Sequence, residues 1–175
     1  SYIMKNIDIV IKSKKWFNFF KDENDVQINF NNIIKKISQQ DIMKNLLLPC
    51  NNLEISFSLV NNNQIKKINK ETRYQDKPTN ILSFPHFDKD EINNLRKSKN
   101  NYIFLGDIVI AYEKIDNEAV KQNKKFKNHL THLILHSILH LLGFDHQNDF
   151  EAQEMEDIEI KILDNLNIKN TYTNY

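Results

Sequence analysis

Five of the chain's six histidines lie within eighteen residues, from His129 to His146. An α-helix advances by about 100° per residue, so His129, His132, His136 and His140 fall within one narrow arc. Leu, Ile, Thr and Ser fill most of the remaining positions, and the stretch reads as a buried helix. A stripe of imidazoles inside a core needs partners, because unpaired buried polar groups are costly. His136 and His140, spaced i, i+4, are set to share one tetrahedral zinc ion. Gly143, in a chain with only one other glycine, ends the helix. The returning chain then brings in His146 as a third nitrogen ligand. Three protein ligands leave a fourth position for a zinc-bound water, whose pKa falls to about 7 in catalytic sites. Nickel suits the same three imidazoles. His132 reads as scaffold or as a partner that orients a ligand, and Asp145 as a second orienting candidate. Either one as a fourth ligand would turn the site into a structural one. His129 reads as neighbouring scaffold, and His86, alone in a polar stretch, as a surface residue.

The spacing H-x3-H-x2-G-x2-H is also that of one class of zinc proteases, which require Glu directly after the first His as general base. Here that position is Ser137. A hydroxyl does not hold the proton of an attacking water as a carboxylate does, so the pattern favours metal-assisted hydrolysis of something other than a peptide.

The elements that must position these residues follow from hydrophobic period. Residues 5 to 11 alternate like a strand, and so do 53 to 60. Residues 25 to 47 carry helical spacing through Val26, Phe30, Ile33, Ile34, Ile37 and Ile42, closed by Pro49 and Asn51-Asn52. A helix is expected from about Asn62 to Thr72. The turn from Asp76 to Asn80 leads into a short strand, Ile81 to Phe84. Residues 86 to 101 are polar and aperiodic and read as a loop. Ile103 to Ile110 is a strand interrupted at Gly106-Asp107. Helices are expected over 112–123, 127–142 and 149–166. Strands interleaved with helices predict an α+β (α/β-like) domain, one small sheet of about four strands packed with helices. One domain over residues 1–168 with a frayed tail at 169–175 accounts for the whole length.

Composition narrows the function classes. With 40% hydrophobic and 27% charged residues, the chain suits a soluble globular protein able to bury a core. No apolar run reaches the roughly 18 residues of a membrane span. The start lacks the apolar stretch of a signal peptide, and Met4 reads as the natural start. Cys50 is the single cysteine, which points to a reducing, cytoplasmic setting. The net charge of +1 argues neither for nor against nucleic acid. Lys, Asn and Ile are abundant, so lysine runs carry little information, whereas Arg73 is one of only two arginines.

Taken together, these residues resemble the bacterial rRNA-maturation endoribonucleases of the YbeY type. Their hallmark, H-G-x-L-H-L-x-G-[YF]-D-H, stands here as His136 to His146, preceded by Thr131-His132. Three further blocks occur in order: Asp76 to Pro85 (DKPTNILSFP), Leu105 to Ile108 (LGDI) and Glu154 to Glu156 (EME). These blocks lie between Asp76 and Glu156, and the resemblance is taken over roughly residues 53 to 166. Ser137 departs from the family's glycine and bears on helix packing near the metal, not on the ligands. The resemblance implies a mixed sheet under helices. It also implies a metal-dependent endoribonuclease acting on single-stranded RNA, in 16S rRNA 3′-end maturation and ribosome quality control, with the ribosome or its proteins as partners. The family's functional arginine matches Arg73.

Arg73 also reads on its own terms. It shares a helical face with Lys66 and Lys70 at i, i+4, i+7 spacing, and its guanidinium offers phosphate a bidentate fork that lysine lacks. Charge alone would make this a solvated face, and the same holds for Lys121, Lys124, Lys125 and Lys127. Two other functions fit the residues: a zinc hydrolase of another substrate, and a non-catalytic ribosome-assembly factor with a structural zinc.

Overall fold

The computed structural model describes residues 6–169. In chain order the elements are β1 (Asn6–Ile11), a short 3-10 turn (Lys14–Asn18), α1 (Glu23–Ser38), α2 (Asp41–Leu46), β2 (Cys50–Val60), α3 (Asn62–Arg73), β3 (Ile81–Pro85), α4 (Lys89–Leu95), β4 (Asn100–Ala111), α5 (Tyr112–Lys121), α6 (Phe126–Leu141) and α7 (Asp149–Asn165). The strands form one sheet in the order β1-β2-β4-β3. β1, β2 and β4 run parallel, and β3 is the antiparallel edge strand on β4. The α+β architecture with one four-stranded mixed sheet is as expected. Most of the tail expected to fray lies outside the described residues.

The sheet divides the core. Ile108 and Ile110 of β4 join the large core, together with Leu130, Ile134, Ile138 and Leu139 of α6. Val109 and Ala111 point the other way and pack against Val60, Ile65 and Leu82, so α3 covers the opposite face. This alternation is the period-2 geometry of a strand buried on both sides. Near the first crossover, the buried Trp16 donates its indole N–H to the Val60 carbonyl at 3.0 Å.

Three elements differ from the sequence expectation. The single helix expected over 25–47 breaks at Gln40, whose extended backbone (φ −65°, ψ 135°) separates α1 from α2. Apolar spacing runs straight across the break, so period alone does not reveal it. The loop expected over 86–101 contains α4, opened by a reciprocal capping box between Asp88 and Glu91 and anchored by the buried Ile92. A seven-residue helix with one buried apolar residue has no period to read. Lastly, β4 is continuous through Gly106. The register skips Leu105, pairing Glu54 with Phe104 and then Ile55 with Gly106. This is a β-bulge, and Gly106 sits at φ 147°. A side chain there would meet the Phe84 carbonyl oxygen at 2.3 Å and Leu141 at 2.9 Å. Glycine thus lets β3 and α6 close against β4. No helix among the described residues is long and apolar enough to cross a membrane.

Candidate metal centre

α6 is buried along nearly its whole length, and only His136 and His140 among its histidines are partly open to solvent. Its end is set by Gly143 at φ 99°, and the Gly143 and Phe144 amides donate to the His140 and Leu139 carbonyls at 3.0 Å each. The chain then reverses, and the Asp145 carboxylate accepts the His146 backbone N–H at 2.7 Å. His146 thereby returns to the cluster. One ring nitrogen from each of His136, His140 and His146 lies within 4.8 Å of the others, and these three form a group able to hold a metal ion.

The hydrogen bonds decide which nitrogens face inward. His136 Nδ1 contacts the Glu159 carboxylate, and His140 Nδ1 lies 2.9 Å from the Phe144 carbonyl oxygen. Both acceptors require a proton on Nδ1, so in the neutral imidazoles the two Nε2 lone pairs are left to face each other. Those two Nε2 atoms are 3.1 Å apart. Two unprotonated nitrogens at that separation repel unless a proton or a metal ion lies between them. Zinc–nitrogen bonds of about 2.0–2.1 Å at a tetrahedral angle imply a nitrogen–nitrogen spacing of about 3.3 Å. Burial, reinforced by the neighbouring His136 imidazole, pushes His140 down to about 4. At neutral pH His140 is therefore in the neutral form a metal requires. The donor set fits zinc.

Glu159 of α7 is fully buried and joins the cluster from behind. Its carboxylate meets His136 and lies 3.4 Å from His132 Nε2. His132, expected as scaffold or orienting partner, thus reaches the cluster through Glu159. The sequence reading did not single out Glu159. The signal was available: Met155, Ile158, Glu159, Ile162 and Leu163 form the buried stripe of α7, and an acid in an apolar stripe needs a cationic or donor partner. Asp145 sits beside the three imidazoles, and its carboxylate holds the backbone N–H of His146.

Arg73, at the C-terminal end of α3, opens on the same cleft as His136 and His140, a cavity of about 730 Å³ along the β3 edge. Its Nη2 donates to the Ser83 carbonyl at 2.8 Å, and its Cζ lies 5.4 Å from the centre of the Phe84 ring. An edge strand has an unpaired carbonyl to offer, and here it fixes the guanidinium. Lys66 and Lys70 turn instead to Asp76, each at 3.9 Å. Ser137, at the family's glycine position, is fully buried and 2.8 Å from the Ser83 hydroxyl. It ties the histidine-bearing helix to the strand that holds Arg73. His86 is exposed, as expected.

Imidazoles converging at the mouth of a cleft, on a helix clamped against a mixed sheet, define a candidate metallohydrolase. Comparison with known proteins refines this class. The profile of the family "Endoribonuclease YbeY" matches residues 15–167. A Francisella tularensis subsp. tularensis (strain FSC 198) protein named endoribonuclease YbeY is 44% identical over 145 residues, covering 77% of this chain and 81% of that protein. One of the same name from subsp. novicida (strain U112) is 47% identical over 124 residues, covering 68% and 71%. The solution structure of TM1509 from Thermotoga maritima shares the fold, with a TM-score of 0.54 at 21% identity over 93% of this chain and 92% of that one. This chain belongs to the endoribonuclease YbeY family.

Proposed function

We propose that this protein is a zinc-dependent endoribonuclease specific for single-stranded RNA, acting in the cytoplasm on the 3′ end of 16S rRNA during ribosome maturation and quality control. The observation that carries the reading is the three-imidazole group, with two Nε2 atoms facing each other at 3.1 Å, beside a tethered guanidinium in one cleft. The relatives named endoribonuclease YbeY support RNA as the substrate.

His136 and His140 would hold the ion through Nε2, and His146 would complete the set. When bound, zinc supplies Lewis acidity at neutral pH. The chain's own residues do the rest. Glu159 holds His136 in the ligating tautomer. Arg73 uses one nitrogen on Ser83 and keeps its remaining donors for a phosphate oxygen, where charge develops during cleavage. Its place over Phe84 restricts the side chain, so less entropy is lost when phosphate binds.

The test is cleavage of a single-stranded 16S rRNA 3′-end precursor by the wild type, His140→Ala and Arg73→Ala, with zinc content measured for each. The wild type is expected to cut the single strand and spare the same sequence in a duplex. His140→Ala should lose zinc and cleavage together. Arg73→Ala should keep zinc and lose on the order of 10²–10³ in rate. The product termini distinguish attack by water from attack by the RNA 2′-hydroxyl. Equal cutting by a zinc-free variant would overturn the mechanism. An inert wild type that binds immature ribosomal particles would make it an assembly factor.

A further inference from the structure

The cleft extends beyond the imidazole cluster. It follows α6 back to His129, about two turns before His136 and so ~10 Å along the helix axis. There His129 Nε2 lies 3.0 Å from Glu118 Oε1 of α5, and the Asn80 amide donates to the same carboxylate at 3.0 and 3.3 Å. His129 is buried, 4% exposed, and its Nδ1 has no hydrogen-bond partner among the described residues. With a carboxylate at Nε2, that nitrogen carries the proton, so the imidazole donates to Glu118. Burial works to raise the Glu118 carboxyl, but the hydrogen bonds from His129 and Asn80 outweigh it and hold the group below the usual carboxylate range. The Glu118 side chain remains 30% exposed and lines the cleft together with Lys124.

A carboxylate fixed in the wall of a cleft that takes RNA repels phosphate, so its presence there calls for a partner of another kind. A role confined to joining α5 to α6 would be met by a closed pair. Instead, among the described residues Oε2 carries only the longer Asn80 contact, on a side chain that lines the cleft and is partly exposed, so it retains acceptor capacity. Glu118 is paired with His129, about two helical turns from His136, and so lines the cleft beside the imidazole cluster, where an adjoining nucleotide would lie. Single-stranded RNA is read on exposed base edges, and carboxylates select the amino groups of bases.

We propose that Glu118, positioned by His129 and Asn80, reads the base of a nucleotide next to the scissile phosphate, accepting hydrogen bonds from a donor edge. Guanine suits Oε2, because its N1–H and N2 amino group are both donors on one edge and either can reach that oxygen. Uracil is disfavoured, because carbonyl oxygens flank its single N–H. Lys124 faces the phosphate of that nucleotide. The inference rests on the ribonuclease reading of the cleft.

The experiment incubates zinc-loaded wild type and Glu118→Gln with short single-stranded RNAs randomised on both sides of the cut, and sequences the new ends. In parallel, the affinity of each for labelled guanine-containing and uracil-containing RNAs is measured by fluorescence anisotropy. The wild type should favour guanine over uracil roughly tenfold at one position beside the cut, mainly through KM. Glu118→Gln presents an amide donor as well as an acceptor. It should level that preference while keeping zinc content and melting temperature. A flat wild-type profile overturns the proposal, as does an unchanged profile in Glu118→Gln. Should that variant fail to fold, the wild-type profile decides alone. If the wild type cuts no RNA, the ribonuclease reading falls separately. In that case a guanine preference in binding, lost in Glu118→Gln, keeps the subsite, and its absence removes both.

Discussion

Glu159 carries two roles that substitution can separate. Its carboxylate is fully buried, and an unpartnered charge there would cost several kcal/mol. His132 and His136 are its partners, so the same group satisfies the core and sets the tautomer of a candidate metal ligand. Glu159→Gln preserves the shape and removes the charge that makes His136 a stronger donor to a metal. It should weaken zinc binding by about 10–100-fold in competition against a chelator. An unchanged affinity would mean the carboxylate serves packing alone. The ligand candidates were legible because i, i+4 spacing and a helix-ending glycine are local patterns. Glu159 was not singled out, because its partner lies 23 residues away on another helix and only packing brings the two together.

At the scale of elements, β4 and its bulge control the cleft. Gly106 brings the Phe84 carbonyl and Leu141 closer to β4 than any side chain allows. It therefore sets both the edge strand that tethers Arg73 and the end of α6 that carries His140. Gly106→Ala also meets an unfavourable backbone at φ 147°. The expected outcome is a melting temperature lower by at least several degrees, corresponding to about 1–3 kcal/mol, with zinc affinity falling as well. Normal stability with normal zinc binding would show that the sheet tolerates a shifted β3. The dipeptide Gly106-Asp107 suggested an interruption of the strand, and the structure resolves it as a bulge within continuous pairing. A bulge depends on the neighbouring strand, which local sequence does not display. The break between α1 and α2 and the short α4 escaped the sequence reading for the related reason that neither alters the apolar period.

For the molecule as a whole, the proposed metal would compete with protons for one cluster. His140 is held near 4, below the ordinary imidazole value of 6.5, by burial and by His136. Between those values the unfolded chain binds the proton and the folded chain does not. The contribution of His140 to stability is therefore full above about pH 6.5 and is lost as pH falls toward 4. Melting curves of the zinc-free protein should show this acid loss, and His140→Gln should flatten part of it. Zinc should raise the melting temperature most at neutral pH and progressively less on acidification. A pH-independent melting temperature over that range would contradict the assigned environment of His140. With a net charge of only +1, the molecule has no global pull on RNA, so recognition rests on what lines the cleft.

The amino-acid order by itself determined the class of chemistry and most of the framework. Residue type and short spacing specify a three-imidazole group, a helix end and the alternation of four strands, because these depend on neighbours within a turn or two. Only the tertiary structure decided which nitrogens face inward, that Glu159 stands behind them, and that Arg73 is held by Ser83 while Lys66 and Lys70 turn to Asp76. Those choices are made by groups far apart in the chain that share a buried space. In that space every donor must find an acceptor, and the packing of sheet and helices determines which ones meet.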